Sequence, residues 1–110
     1  PYRDRIHLHL GDALVLIPEL VQQHSFDLVY MDANKRQYID YYELLIPHLP
    51  TGAIVLADNT LWDGKVVEEP LPTDSQTQAI LAFNDWVQRD PRVENLILPL
   101  RDGLSIIRKR

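Results

Sequence analysis

Two carboxylates and a carboxamide follow directly on two short apolar runs, and no other side chains in the sequence are better placed for chemistry. Phe26-Asp27-Leu28-Val29-Tyr30-Met31 ends in Asp32, and Ala53-Ile54-Val55-Leu56-Ala57 ends in Asp58-Asn59. If both runs are parallel strands of one open sheet, all three groups lie on its carboxyl edge, where open α/β sheets bind ligands. Adjacent strands lie about 5 Å apart, so groups ending two neighbours can meet one ion. Oxygen donors without Cys or a nearby His suit a hard cation such as Mg²⁺, Ca²⁺ or Mn²⁺. Each residue taken singly reads first as a turn former after a strand. The conjunction is what points to a metal.

Lys35 comes three residues after Asp32, at the start of a helical stretch. A cation there opposes the helix dipole, so helix stability does not explain it. It reads as a base or electrostatic group beside the metal, or else as a solvated lysine; Arg36 reads as solvent-facing. Trp62, in Asp58-Asn59-Thr60-Leu61-Trp62-Asp63-Gly64, is either a wall for a planar substrate or a loop anchor on the sheet edge. Tyr42 fits the core face of its helix, while Tyr38 and Tyr41 fall off that face toward the cleft. His7 and His9 stand two apart on an alternating segment, which permits a two-His metal site or two solvated residues. No histidine has a spacing that joins the Asp set. No Ser-His-Asp arrangement is suggested, and the four glycines, at 11, 52, 64 and 103, have no phosphate-loop spacing.

The elements that must position these residues follow from periodicity. Arg5 to Leu10 alternates as a half-buried strand, Gly11 breaks it, and Asp12 is an N-cap for a helix over Ala13 to His24. Pro18 either sits near the first turn or splits a short turn from the main helix. The run 26–31 reads as a strand buried on both faces. Asn34 to Leu49 carries Ile39, Tyr42, Leu45 and Leu49 at helical spacing and is stopped by Pro50-Thr51-Gly52. A second buried strand covers 53–57, and 58–72 is loop. Thr73 with Gln76 makes a capping box for a helix with Ile80, Phe83 and Val87 on one face, ending near Asp90-Pro91. Strands at 93–98 and 104–107 flank a turn at Arg101-Asp102-Gly103. The order β-α-β-α-β-α-β-β predicts an α/β fold: a mostly parallel sheet with crossover helices and an antiparallel C-terminal hairpin.

The 110 residues bound the chain to one small domain. A formal net charge of -5 argues against a nucleic-acid partner, which calls for a basic footprint. The absence of Cys removes disulfide and thiolate chemistry and fits a cytoplasmic protein. No apolar stretch approaches the ~20 residues of a membrane span, and no membrane partner is expected. The chain opens on Pro1 without an initiator Met and reads as a piece of something longer.

Met31-Asp32-Ala33-Asn34-Lys35, followed by Tyr38 and Tyr41-Tyr42, resembles the "DADK…Y…Y" segment of the cation-dependent, S-adenosylmethionine-dependent O-methyltransferases, the caffeoyl-CoA and catechol O-methyltransferase-like family. Ala57 to Gly64 resembles that family's "DNTLWNG" segment, and Gly11-Asp12-Ala13-Leu14 its "GDAL" element. Asp90-Pro91-Arg92, Leu98-Pro99-Leu100 and Asp102-Gly103-Leu104 match its closing hairpin in order and spacing. The similarity covers essentially all 110 residues. It implies the C-terminal half of a Rossmann-like class I methyltransferase domain, with the glycine-rich donor loop and the ribose-binding acid before residue 1. It implies metal ligation by Asp32, Asp58 and Asn59 and a catalytic role for Lys35. It implies S-adenosylmethionine contacts near Asp12, Ala13, Asp32, Asn34 and Tyr41, and substrate contacts near Trp62 and Asp63. The expected activity is methyl transfer to a hydroxyl of a metal-chelated aromatic diol, a small molecule, by a homodimer. Asn34 and Asp63 depart from the family pattern, which often has Asp and Asn there. The alternatives are a folded but inactive fragment, or a remnant whose edge strands pair between chains.

Overall fold

The computed structural model describes residues 1–110. Its helices are α1 (Ala13–Gln23), α2 (Tyr38–Leu45) and α3 (Ser75–Arg89); its strands are β1 (Leu28–Met31), β2 (Ile54–Asp58), β3 (Val93–Leu98) and β4 (Leu104–Lys109). The strands form one open sheet in the order β1-β2-β4-β3. β1 and β2 run parallel with α2 in the crossover between them, and β4 is antiparallel to both of its neighbours.

The covered face of the sheet carries Met31, Val55, Ala57, Val93 and Ile107, which pack on Tyr38, Tyr42, Leu45, Ile80, Phe83 and Val87 of α2 and α3. Phe83 meets the Tyr38 ring edge-on at 5.2 Å and the Tyr42 ring at 6.0 Å. Burying an aromatic side chain of this size contributes roughly 1.5–3 kcal/mol. Alternation along the strands sends Leu28, Tyr30, Ile54, Leu56, Leu96 and Leu98 to the opposite face, where no helix of the chain covers them and Tyr30 remains 57% exposed.

Several sequence expectations are corrected. Residues 5–10 do not form a strand: a 3₁₀ turn spans Arg3–Arg5, and the following segment joins no ladder, leaving Leu10 87% exposed. Alternation permits a strand, but a strand also needs a neighbour's N–H and C=O groups. The sheet accordingly has four strands, not five. The strand at 28–31 is covered on one face only. α1 runs straight through Pro18, capped by Asp12, whose carboxylate accepts from Leu14 N at 2.9 Å. The long helix expected over 34–49 is α2 flanked by 3₁₀ turns at Lys35–Gln37 and Ile46–His48. The cap of α3 is Asp74, which accepts from Thr77 N and Thr77 Oγ1, in place of a Thr73–Gln76 box. Tyr38 and Tyr41 both lie in the core.

Candidate active site

The pairing of β1 with β2 brings the oxygen-bearing side chains together. Met31 is in register with Ala57, so Asp32, one step on, comes beside Asp58 at the carboxyl edge. Both side chains fall on the uncovered face, as Leu28, Tyr30, Ile54 and Leu56 do. A cross-strand contact fixes this geometry: Tyr30 Oη donates to Asp58 Oδ2 at 2.5 Å. That bond, more than any other cause, pushes the Tyr30 phenol up to about 12, so it stays protonated and keeps donating. Nothing local in the sequence singles out Tyr30; its partner is 28 positions away.

Lys35 is buried, not solvated. Its Nζ lies 2.8 Å from Asp32 Oδ1 and 2.6 Å from Tyr38 Oη. Tyr38 Oη in turn donates toward Met31 O at 3.1 Å and Asp58 O at 2.9 Å. The phenol therefore ties the ends of β1 and β2 to the lysine. Burial first, then the nearby Asp32 and Asp58 charges, holds its pKa well above the ordinary tyrosine value.

The second carboxylate and the carboxamide sit in a braced loop. Asp58 Oδ1 accepts from Asn59 N at 2.7 Å. Asn59 takes a left-handed φ of 64°, which Asn tolerates better than most residues. Its Nδ2 donates to Asp102 Oδ2 at 2.9 Å, and Asp63 N donates to Asp102 Oδ1. Thr60 is fully buried, held by Asn84 Nδ2 on its carbonyl and by Ser105 Oγ on its hydroxyl. Gly103 lets the hairpin turn close on this loop: its φ is +83°, and a Cβ would lie 2.6 Å from Leu61 N.

Two openings meet at Asp32. An open cleft of about 520 Å³ is lined by Asp32, Asn34, Lys35, Arg36, Asn59 and Trp62, among others. An apolar cavity of about 420 Å³ between α1 and β1 is bordered by Ala13, Asp32, Ala33 and Tyr41. Asp12 caps α1 beside this cavity; burial first, then the Asp12 charge, raises the pKa of the Tyr41 phenol. Asn34 spends its carboxamide oxygen on Arg36 N at 3.1 Å. Trp62 packs against the core and also lines the cleft. Its indole N–H is shielded from solvent and has no acceptor. Asp63 does not join this cleft; it lines a separate groove with Gly64, Arg101 and Asp102. His7 and His9 are exposed on the unpaired N-terminal segment.

No group of three or more His, Cys, Asp or Glu side chains is placed to hold a metal ion. A cation at this edge would therefore have to draw on Asn59 as well as Asp32 and Asp58. The donor chemistry fits a hard ion. Asp58 accepts one hydrogen bond on each oxygen and keeps lone pairs free. Asn59 commits its amine to Asp102, which leaves its carboxamide oxygen without a protein partner.

An open sheet with a parallel pair, acidic groups at its carboxyl edge, crossover helices and a closing antiparallel hairpin defines a Rossmann-like methyltransferase fold. The chain belongs to the O-methyltransferase family, whose sequence profile matches residues 1–110. It is similar to caffeoyl-CoA O-methyltransferase 1 of Eucalyptus globulus, 34% identical over 114 residues that cover 96% of this chain and 46% of that protein. Caffeoyl-CoA O-methyltransferase 2 of Zea mays is 36% identical over 117 residues, covering 96% of this chain and 43% of its own length. The chain thus spans about half the length of the curated relatives it matches. Among solved structures, the SAH-bound methyltransferase PaMTH1 of Podospora anserina superposes with a TM-score of 0.84 at 30% identity, over 97% of this chain and 50% of that one. The O-methyltransferase TomG of Streptomyces achromogenes, involved in tomaymycin synthesis and solved with SAM, gives 0.83 at 25% identity, over 94% and 49%. No helix is long and apolar enough to cross a membrane.

Proposed function

We propose that this chain is the cation- and acceptor-binding half of an S-adenosylmethionine-dependent O-methyltransferase that methylates a hydroxyl of an aromatic diol chelated by Mg²⁺, Ca²⁺ or Mn²⁺. The in-register parallel pairing of β1 and β2 carries the reading, because it sets Asp32 beside Asp58-Asn59 with Lys35 bonded to Asp32. The donor is supported by the SAH and SAM bound in structural relatives. The acceptor class is supported by the caffeoyl group, an aromatic diol, in the names of the curated relatives.

In this reading Asp32, Asp58 and Asn59 hold the cation. When bound, the ion supplies Lewis-acid stabilisation of charge developing on the acceptor oxygen. Lys35 receives or stabilises the proton leaving the acceptor hydroxyl, and Tyr38 holds its Nζ in position. Trp62 walls the cleft against the aromatic ring, while Asp63 faces the outer groove. Asp12, Ala13, Asp32, Asn34 and Tyr41 border the methyl donor. Methyl passes from sulfonium sulfur to oxygen as the C–S bond breaks and the C–O bond forms. Holding the two reactants together supplies much of the rate.

The test uses the full-length protein, stripped by chelation and given S-adenosylmethionine and catechol. O-methyl product should be absent, and should return on adding Mg²⁺. Turnover that survives chelation, or an Asp32→Ala variant with unchanged turnover, overturns the reading.

A further inference from the structure

We propose that Asp102 is a positioning residue that fixes the polarity of the Asn59 carboxamide, so that its oxygen and not its amine is offered to the cation cleft. The inference rests on the cation site proposed above and goes beyond it to a residue outside the ligand set.

Asp102 sits in the hairpin turn, 43 positions from Asn59, where the sequence suggests only turn chemistry. Its two oxygens face two different donors: Oδ2 accepts from Asn59 Nδ2 at 2.9 Å, and Oδ1 accepts from Asp63 N. An ionised carboxylate accepts only, so the group Asn59 turns toward it must be the amine. The carboxamide oxygen is then left for the cleft that Asn59 shares with Asp32 and Lys35. A flip about the last side-chain bond would set oxygen against oxygen at Asp102 and present an amine to the ion. An amine hydrogen cannot ligate a cation.

The turn is built to hold Asp102 there. Leu61 N donates to Asp102 O at 2.9 Å, and Thr60 N donates to Gly103 O at 3.2 Å, so backbone bonds join the hairpin to the Asn59 loop. Gly103 permits that approach, since any Cβ would collide with Leu61. Asp102 therefore braces one ligand the way outer-shell partners orient metal ligands, where their loss typically costs about 10–100-fold in affinity.

The test is a double-mutant cycle read by Mn²⁺ binding, followed by the EPR signal of free Mn²⁺, in the full-length protein. Asp102→Asn is nearly isosteric but supplies a donor as well as an acceptor. With its oxygen on Asp63 N, its amine turns the Asn59 carboxamide over. Mn²⁺ affinity should fall about tenfold or more. In an Asn59→Asp background there is no amide to turn, and the same Asp102→Asn change should not weaken binding. Where Asp102→Asn does not fold, Asp102→Ala, which frees the carboxamide to rotate, is run through the same cycle with the same expected contrast. Equal losses in both backgrounds would mean that Asp102 merely supports the loop, and an unchanged affinity in the native background would mean that it does nothing for Asn59; either result overturns the inference. Failure of the underlying site looks different: the native protein would bind no Mn²⁺ that Asp32→Ala removes, and the inference would fall with it.

Discussion

Tyr38 Oη lies 2.6 Å from Lys35 Nζ and accepts its hydrogen bond, while donating toward the carbonyls that end β1 and β2. One buried phenol thus sets the spacing of the two strand ends and the position of the buried Lys35 amino group between them. Lys35 Nζ also stands 4.7 Å from the centroid of the same ring, so the aromatic face packs against the amino group that the hydroxyl anchors.

Tyr38→Phe keeps the ring and its packing on Phe83 but strands the groups that the hydroxyl serves. Leaving a buried donor or acceptor unsatisfied costs about 1–3 kcal/mol. Urea denaturation should show a loss in that range with an unchanged m-value. Stability equal to the native protein would show that the hydroxyl does not hold the strand ends.

Lys35→Met removes the proposed proton acceptor and leaves a side chain of similar reach. If Lys35 handles the acceptor's proton, kcat should drop by roughly 10²–10⁴, with little change in KM for the diol. A rise in KM alone, with kcat kept, would assign Lys35 to binding.

Gly103→Ala places a methyl group against Leu61 at a backbone conformation that L-residues rarely adopt. A cost of about 1–3 kcal/mol is expected, with weaker Mn²⁺ binding because the Asn59 loop is displaced. A variant with native thermal stability and native Mn²⁺ affinity would contradict the role given to the hairpin turn.

Acid stability has an identifiable contributor away from the site. The Arg92 guanidinium, helped by the Tyr42 hydroxyl at 2.7 Å, holds the Asp90 carboxyl down to about 2 against an ordinary 3.8. A carboxyl depressed on folding stabilises fully above its unfolded pKa, and that stability is lost as pH falls through the folded value. The Asp90 contribution should therefore fade between about pH 4 and about pH 2. In Arg92→Met, a ¹³C titration should find Asp90 moved up toward the ordinary carboxylate range. An unmoved titration would mean that the guanidinium is not the cause.

Local patterning made much of this legible. Apolar runs ending in Asp32 and Asp58 marked neighbouring parallel strands, and their register brings the two residues side by side. The Asp12 cap, the hairpin at 101–103 and the core face of α3 follow from spacings of a few residues. What failed depended on partners that the pattern does not contain. Residues 5–10 alternate like a strand, yet pairing requires a neighbour. The run 26–31 is apolar throughout, but whether its second face is covered depends on what packs there. Asp74 won the cap over Thr73 because its carboxylate serves both the backbone and the hydroxyl of Thr77. Tyr30 and Asp102 were illegible because each acts across the fold, 28 and 43 positions from the residue it bonds.

The most direct test of the proposed cation site is crystallographic: full-length protein crystallised with Mn²⁺ and mapped by anomalous scattering. One peak is expected at the carboxyl edge, within about 2.0–2.6 Å of oxygens from Asp32, Asp58 and Asn59 alike. A peak elsewhere, or one that touches only one of the three, would contradict it.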